Sequence, residues 1–266
     1  ISSELIVNLN TGDEIEEMAI ALNTSIEGLN QKTDFANEIG KGNYDSSLDL
    51  LSEKDVLGKS LQYMRESLRN AAVEEEKRKV DDQKRSWANE GYAKFGEILR
   101  QNNNELQKLC DSVIVGLVKY VGANQGGIFL WNEEDKYNQY FELTSAFAWD
   151  RKKYITKQLE KGEGLVGACA MERETIFMTE VPDDYVMISS GLGESNPRCV
   201  VLVPLKHEEE VLGVIEMASF KILEQFEIEF VEKIAESIAS TILSVKINDR
   251  TKMLLEQSQM QAEEMK

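Results

Sequence analysis

The sequence is poor in residues that carry catalysis or cross-links: it has one histidine and three cysteines in 266 residues. Cys110, Cys169 and Cys199 are odd in number and widely spaced, and each lies in an apolar pattern. We therefore expect structural thiols in a reducing compartment and neither disulfides nor a metal site. His207 is followed by three glutamates without a second histidine at zinc-ligand spacing, so we expect an exposed hairpin residue and no catalytic base.

Long apolar runs are also absent. None approaches the roughly 20 residues of a membrane-spanning helix, and no signal peptide is visible. The formal net charge of -18 disfavours nucleic acid and anionic membrane surfaces as partners. Because the sequence starts at Ile1 and not at Met, we expect a piece of a longer protein. We predict a cytoplasmic location, or the cytosolic part of a membrane-anchored receptor whose anchor lies outside this sequence.

Proline occurs only within residues 182–204, so nothing in the first 181 residues forces a helix to break. Hydrophobic periodicity predicts helix over 1–120 and 226–266. Strands and loops around a short helix are predicted over 126–219. The expected order is therefore helix, mixed domain, helix.

The N-terminal part contains an internal repeat, because a shift of 42 positions places Asp13-Glu14-Ile15 on Asp55-Val56-Leu57. Apolar residues recur at alternating steps of four and three, the pattern of a parallel coiled coil. The predicted dimer seam consists of Leu22, Ile26, Leu29, Leu57, Leu61, Met64 and Leu68. One amphipathic helix packed on a core is the alternative, but it does not explain the break at residues 42–45 that precedes Leu48 and Leu51.

This arrangement resembles the HAMP domain, a parallel dimeric four-helix relay. In that family an extended connector packs two apolar residues on the bundle, and an Asp-Glu-x-Gly-like turn opens the second helix. Asp55-Val56-Leu57-Gly58 matches the turn, whereas Asp13-Glu14-Ile15-Glu16 lacks its glycine. The resemblance implies the connector of a truncated HAMP-like unit at 1–14 and a HAMP-like unit at 15–72, as in poly-HAMP arrays.

Two further segments have helical composition. Residues 73–97 are strongly charged, which is typical of a solvated helix face. Their position between two modules predicts a helical signalling linker. Residues 246–266 keep helical composition to the last residue, and we predict that they form an output coiled-coil helix.

The region 98–245 combines helices with a strand-rich centre. An amphipathic helix over 106–120 is expected to end at Gly126-Gly127, and a closing helix starts at Phe226. Strand-like runs lie at 128–131, 140–149, 175–179, 200–205 and 211–218. The last two are expected to form a hairpin through a turn at 206–210. These elements predict an α+β domain in which helices flank an antiparallel sheet.

Three motifs make this region similar to the GAF domain: Gly162-Glu163-Gly164-Leu165-Val166-Gly167, Val203-Pro204-Leu205 and Leu212-Gly213-Val214-Ile215-Glu216. The resemblance implies a pocket on the sheet face opposite the terminal helices, covered by a loop and a short helix. Neither the cyclic-nucleotide signature nor the cysteine context of a covalent bilin is found, so ligand and cofactor stay open. The first motif also spells GxGxxG, but no buried strand precedes it and Glu163 would repel a pyrophosphate.

The segment between Pro182 and Pro197 mixes apolar and polar side chains on a glycine-bearing loop. Loops of this length inside a compact domain are usually functional or disordered. We predict a lid over the pocket, with a plain long connector as the alternative. The candidate pocket residues are Phe147, Trp149, Met178, Tyr185, Met187, Ser189 and Cys199.

The sequence thus predicts a non-catalytic sensor-relay module of a signal-transduction receptor, of the kind used in two-component systems. The GAF-like domain would sense a small molecule, and coiled coils of a parallel homodimer would transmit the change to an output domain or protein. The alternatives are a purely structural dimerisation module and a regulatory fragment of a histidine kinase or nucleotide cyclase. No phospho-acceptor histidine or glycine-rich ATP lid is recognisable, so a catalytic domain would lie outside this chain.

Overall fold

A computed structural model describes residues 7, 9–133, 135, 137–148, 151–153, 158–182, 185–190 and 193–264. The chain divides into two compact units, Ile1–Gln83 and Lys84–Lys266. Within the described part of the chain, no helix combines the length and the apolar composition that crossing a membrane requires.

The first unit contains helix α1 (Glu14–Gly40), an irregular connector and the first half of helix α2 (Val56–Gln101). Helix α1 begins after Asp13, whose carboxylate accepts a hydrogen bond from the backbone N–H of Ile15. The connector precedes α2 in sequence and lies against it in space, where the Gln62 side chain donates a hydrogen bond to the Leu48 carbonyl oxygen at 2.7 Å. A small core consists of Phe35, Ile39 and Leu48, with Tyr44 and Leu61 packed against it.

A buried ion pair joins α1 to the start of α2. Lys32 Nζ lies 2.8 Å from Asp55 Oδ2, and the two side chains are only 8% and 7% exposed. Asp55 also accepts hydrogen bonds from the backbone N–H groups of Gly58 and Leu51. Lys32, and then the Gly58 N–H, hold the pKa of Asp55 below its usual range. Asp55 therefore caps α2 and anchors α1 with one carboxylate.

The second unit is an antiparallel sheet between helices. The helices are α3 (Leu106–Val121), α4 (Gly164–Glu172) and α5 (Gln225–Glu264). The strands are β1 (Gln125–Asn132), β2 (Tyr140–Ala148), β3 (Arg151–Lys153), β4 (Gln158–Leu159), β5 (Ile176–Met178), β6 (Ile188–Ser190), β7 (Gly193–Ser195), β8 (Cys199–His207) and β9 (Glu210–Ser219). The main sheet has the order β3-β2-β1-β9-β8-β5 with β4 beside β2, while β6 and β7 pair separately. The predicted α+β fold with an antiparallel sheet and flanking helices is confirmed.

The central strands are buried on both faces of the sheet. Successive side chains along a strand point to opposite faces, so neighbouring residues belong to different hydrophobic clusters. Cys199, Val201, Val203 and Leu205 of β8 face α3 and α5 and join one hydrophobic cluster. Val200 and Leu202 alternate with them and join a second cluster, which includes residues of α4. This second face carries the candidate site.

The prediction that Gly126-Gly127 mark the end of the helix over 106–120 was wrong. Helix α3 ends at Val121 and is capped by Gly122, which has a left-handed backbone with a φ of 72°. Gly126 and Gly127 lie inside β1 instead. A Cβ on Gly126 would lie 2.8 Å from Ile114 Cδ1, so this glycine permits close packing of α3 on the sheet.

The hairpin turn and the helical stretch also differ from their predictions. Strand β8 continues to His207 and β9 begins at Glu210, so the turn is shorter than the predicted 206–210. His207 pairs with Glu210 and is half-buried rather than exposed. The helix predicted over 1–120 does not include residues 9–13, 41–55 and 102–105. The break at 42–45 was predicted, whereas the one at 102–105 was not.

The C-terminal half of α2 belongs to the second unit through an aromatic cluster centred on Phe230. The ring centroid of Phe230 lies 5.0 Å from that of Trp87 and 5.2 Å from that of Tyr120, and Phe95 packs edge-on against Tyr120. The Tyr120 hydroxyl donates a hydrogen bond to the Trp87 carbonyl oxygen. Gly91 lies beneath these rings, and a Cβ there would be 2.5 Å from Phe230 Cε2. The absence of a side chain at position 91 therefore lets α2 approach the domain.

We expect Gly91→Ala to destabilise the second unit. Alanine favours a helix by about 1 kcal/mol over glycine, but forcing a methyl group into a packed core costs about 1–3 kcal/mol. Gly96→Ala is the matched control, because nothing lies within 4 Å of a Cβ at that position of the same helix. Urea unfolding followed by tryptophan fluorescence should place the midpoint of Gly91→Ala below the wild type and that of Gly96→Ala at or above it. Equal midpoints for the two variants would show that the aromatic cluster tolerates the methyl group.

Candidate functional site: a covered cavity on the sheet

A cavity of about 200 Å³ lies on the sheet face opposite α3 and α5. Its lining is mostly apolar and contains two polar side chains, Gln125 and Glu216. The lining residues are Gln125, Gly126, Gly127, Phe129, Leu143, Ala146, Phe147, Ala148, Val186, Glu216 and Ala218. An apolar hollow with a few polar groups is the usual form of a small-molecule site.

Small residues on neighbouring strands create the space. Strand β1 alternates so that Gly127 and Phe129 share a face, and Gly127 pairs with Ala146 of β2. Across the sheet, Ala218 of β9 pairs with Gln125. A larger residue at position 127 would meet Leu143 Cδ1 at 2.9 Å already at its Cβ. The cavity is therefore a gap in a surface that larger side chains fill elsewhere.

The segment that covers the cavity is held to the sheet by Tyr185. Its hydroxyl donates to Glu216 Oε1 at 2.6 Å, and its N–H closes a turn with the Pro182 carbonyl oxygen at 3.1 Å. Burial, and then the Glu216 charge, raise the pKa of Tyr185 well above its usual range, so the hydroxyl stays protonated and able to donate. Nearby, Ile188 is fully buried in the same cluster as Phe129.

The structure brings three of the seven predicted pocket residues to this region with a described contact. Phe147 contributes to the lining, although its ring packs in the cluster on the helix side. Tyr185 reaches the site through Glu216. Met187 is 46% exposed and contributes its carbonyl oxygen, which accepts from the Gln125 amide at 3.5 Å.

The remaining four residues fall elsewhere or lack a described side chain. Met178 lies in the edge strand β5, away from the cavity lining. Ser189 is part of β6, and Trp149 lies outside the described residues. Cys199 is not part of this site, because the alternation of β8 turns it to the helix side, where its thiol donates to the Lys221 carbonyl oxygen at 3.1 Å.

Sequence reasoning missed the two polar residues of the lining. Glu216 is the one charged residue inside the otherwise apolar stretch from Val211 to Ser219, and this signal was present in the sequence. Gln125 precedes the two glycines that were interpreted as the end of a helix. For this reason it was not predicted to lie in a strand.

The three thiols are buried within the protein. Burial raises the pKa of Cys110 and of Cys169 to about 12. It also raises the pKa of Cys199. The thiolate is the reactive form of cysteine, so at neutral pH these side chains are poor nucleophiles. They serve here as small apolar core residues.

A sequence model of the GAF domain matches residues 103–243. The chain belongs to the GAF domain family. GAF domains are small-molecule-sensing regulatory domains of signalling proteins. The match confirms the resemblance inferred from the glycine-rich, Val-Pro-Leu and Leu-Gly-Val-Ile-Glu motifs.

Solved structures similar to this chain include further GAF domains. The GAF domain of an Acinetobacter phosphoenolpyruvate-protein phosphotransferase is 15% identical, with a TM-score of 0.46 over 57% of this chain and 92% of that one. Free methionine-R-sulfoxide reductase from Neisseria meningitidis is 15% identical, with a TM-score of 0.45 over 58% and 91%. GAF-B of DevS from Mycobacterium smegmatis is 11% identical, with a TM-score of 0.44 over 55% and 99%. No curated protein matches the sequence.

We expect Tyr185→Phe to loosen the cover of the cavity. A hydrogen bond to a charged group contributes about 1.5–3 kcal/mol, so local opening should become about tenfold or more easier. Hydrogen exchange of the backbone amides at 185–190 measures this opening. Tyr137→Phe is the matched control, since Tyr137 is fully exposed. Unchanged exchange in Tyr185→Phe would mean that the hydroxyl does not hold the cover.

Proposed function

We propose that this chain is a non-catalytic sensor-relay module. The GAF domain binds a small molecule in the covered cavity, and helices α2 and α5 transmit the change within a parallel homodimer to an output domain or protein. The observation that carries the proposal is the cavity, which lies under a segment tied to the sheet by the Tyr185–Glu216 hydrogen bond.

The form of the cavity supports a ligand-binding role. Its volume of about 200 Å³ lies below the range of about 300–1,000 Å³ that is typical of sites for drug-sized ligands, so the cavity suits a compact small molecule. Binding in this gap would contact both the sheet and Val186 of the cover, so a ligand would stabilise the closed arrangement.

The chemistry of the second unit favours sensing over catalysis. The buried thiols are neutral at physiological pH. His207 lies at the β8–β9 hairpin, away from the cavity lining. Among the residues that the structure describes, the lining presents one carboxylate and one amide, and no nucleophile lies beside a base there.

The first unit supports the HAMP-like interpretation. Asp13 and Asp55, equivalent in the sequence repeat, each accept a hydrogen bond from a backbone N–H at the start of a helix. Asn23 of α1 exchanges two hydrogen bonds with the backbone of Val7. In a similar way, the side-chain amide of Gln62 in α2 donates to the Leu48 carbonyl oxygen of the connector at 41–55. Helix α1 would thus close a truncated unit at 1–14 and open the unit at 15–72. In this proposal 73–97 is the signalling linker and 246–266 the output helix.

The exposed apolar seam supports a homodimer. Leu22, Leu29, Leu57, Met64 and Leu68 are 40–52% exposed in the single chain, and Ile26 is half-buried. Covering a large apolar side chain contributes about 1.5–3 kcal/mol, so a second copy packed along this seam would be strongly favoured. Leu61 differs, because it already packs against the small core of its own unit.

We expect Leu68→Asp to weaken the dimer. Each dimer carries the substitution twice, so the lost burial should raise the dissociation constant by about 100-fold or more. Ser67→Asp is the matched control, because Ser67 is exposed and lies off the seam. Analytical ultracentrifugation over a concentration series measures the constant. A wild-type protein that is monomeric at tens of micromolar would refute the dimeric relay.

Native mass spectrometry of freshly purified protein tests the sensor function. We expect the wild type to carry a small molecule and Glu216→Gln to carry less of it, because Glu216 is the charged residue of the lining. Glu229→Gln is the control, since Glu229 is exposed on α5. An empty dimer, with Glu216→Gln unchanged, would favour the alternative of a purely structural dimerisation module.

A further inference from the structure

A second cleft opens at the end of the sheet where β1 ends and β9 begins. It has a volume of about 490 Å³, within the range typical of small-molecule sites, and shares no lining residue with the sheet cavity. Its walls come from β1, β2, β9, the end of α4 and the part of α5 around Leu243 to Arg250.

The floor of the cleft is aromatic and apolar. The Trp131 ring packs at 4.8 Å on the ring of Phe141, which is buried. Leu243 of α5 and Val211 of β9 extend this apolar surface. Trp131 itself is half-buried, so the cleft presents a flat aromatic group fixed from behind.

Cationic side chains line the cleft of an otherwise acidic protein. The chain has 48 acidic and 30 basic residues, but Lys161, Arg173, Lys246 and Arg250 face three glutamates here. Arg173 pairs with Glu209 at 2.7 Å, and Lys246 donates to the Trp131 carbonyl oxygen at 2.9 Å. Lys161 and Arg250 form no ion pair with any residue that the structure describes. The Lys161 ammonium lies 5.7 Å from the centre of the Trp131 ring.

We propose that this cleft binds a small organic anion with a flat apolar part, such as an aromatic carboxylate. The anionic group is held by Lys161 and Arg250, and the flat part packs on Trp131. Two cations beside one aromatic surface match both halves of such a ligand.

The cleft lies where α5 leaves the core of the domain. Among the α5 residues whose burial the structure describes, Val245 is the last buried one at 1% exposure, whereas Ile247 is 54% exposed. A ligand that contacts Trp131 and Arg250 together therefore joins the sheet to the departing segment of α5. Ligand binding in this cleft is thus a second signal, independent of ligand binding in the covered cavity.

Isothermal titration calorimetry of the full chain tests the site with phenylacetate as the probe. Phenylacetamide, which has nearly the same shape without the charge, is the probe control. We expect saturable binding of phenylacetate with a dissociation constant on the order of a millimolar or below, and weaker binding at high salt. Phenylacetamide should bind at least about fivefold more weakly, because it lacks the charge that Lys161 and Arg250 recognise.

Substitutions locate the binding. Lys161→Gln and Arg250→Gln should each weaken phenylacetate binding about fivefold or more, and Trp131→Leu should do the same while the thermal unfolding profile keeps its cooperativity. Lys233→Gln, at an exposed lysine elsewhere on α5, should stay within about twofold of the wild type. Glu216→Gln should also leave binding unchanged, which separates this site from the sheet cavity.

Hydrogen exchange gives a second readout. Phenylacetate should slow exchange of the α5 amides at 246–250 in the wild type and leave them unchanged in Arg250→Gln. The proposal is overturned if phenylacetate gives no saturable heat, if phenylacetamide binds equally well, or if Lys161→Gln and Arg250→Gln bind like the wild type.

Discussion

The second unit depends on the burial of β8 and β9 on both faces. The side chains of β8 from Val200 to Leu205 are almost completely hidden from solvent, as are Val214, Ile215, Met217 and Ala218 of β9. Each face of the sheet therefore requires its own cover. Helices α3 and α5 supply one cover, and α4 with the segment around Tyr185 and Ile188 supplies the other. The two covers differ in kind. The helical side is continuously packed, whereas the other side leaves a gap over Gly127 that a ligand can fill.

The fold was largely predictable because its signals are local. The strands at 200–205 and 211–218 are short, apolar and separated by a polar turn, and the closing helix carries a clear helical stripe. The glycine pair at 126–127 was misread because glycine marks both the end of a helix and the close approach of a helix to a strand. The two cases are distinguished only by the position of Ile114, which packs on Gly126 and shows that the glycines lie in a strand under a helix.

The site was less predictable because it depends on register. Cys199 and Val200 are neighbours in sequence, but a shift of one residue moves a side chain to the opposite face of a sheet. The pairing of Tyr185 with Glu216 joins two residues 31 positions apart, and no local pattern encodes it. The ion pair between Lys32 and Asp55 was missed for the same reason, and because lysine is seldom buried.

The segment around Gly91 lies before the residues that match the family, but its packing makes it part of the folded second unit. The family match begins at residue 103, yet the rings of Trp87 and Phe95 cover Phe230 and Tyr120 from a helix that lies before that point. A shortened chain that starts at 103 would keep every family motif and uncover an aromatic patch on its surface. Such patches drive association between molecules. The self-association of that fragment would then reflect where the chain was cut and not how the intact protein assembles.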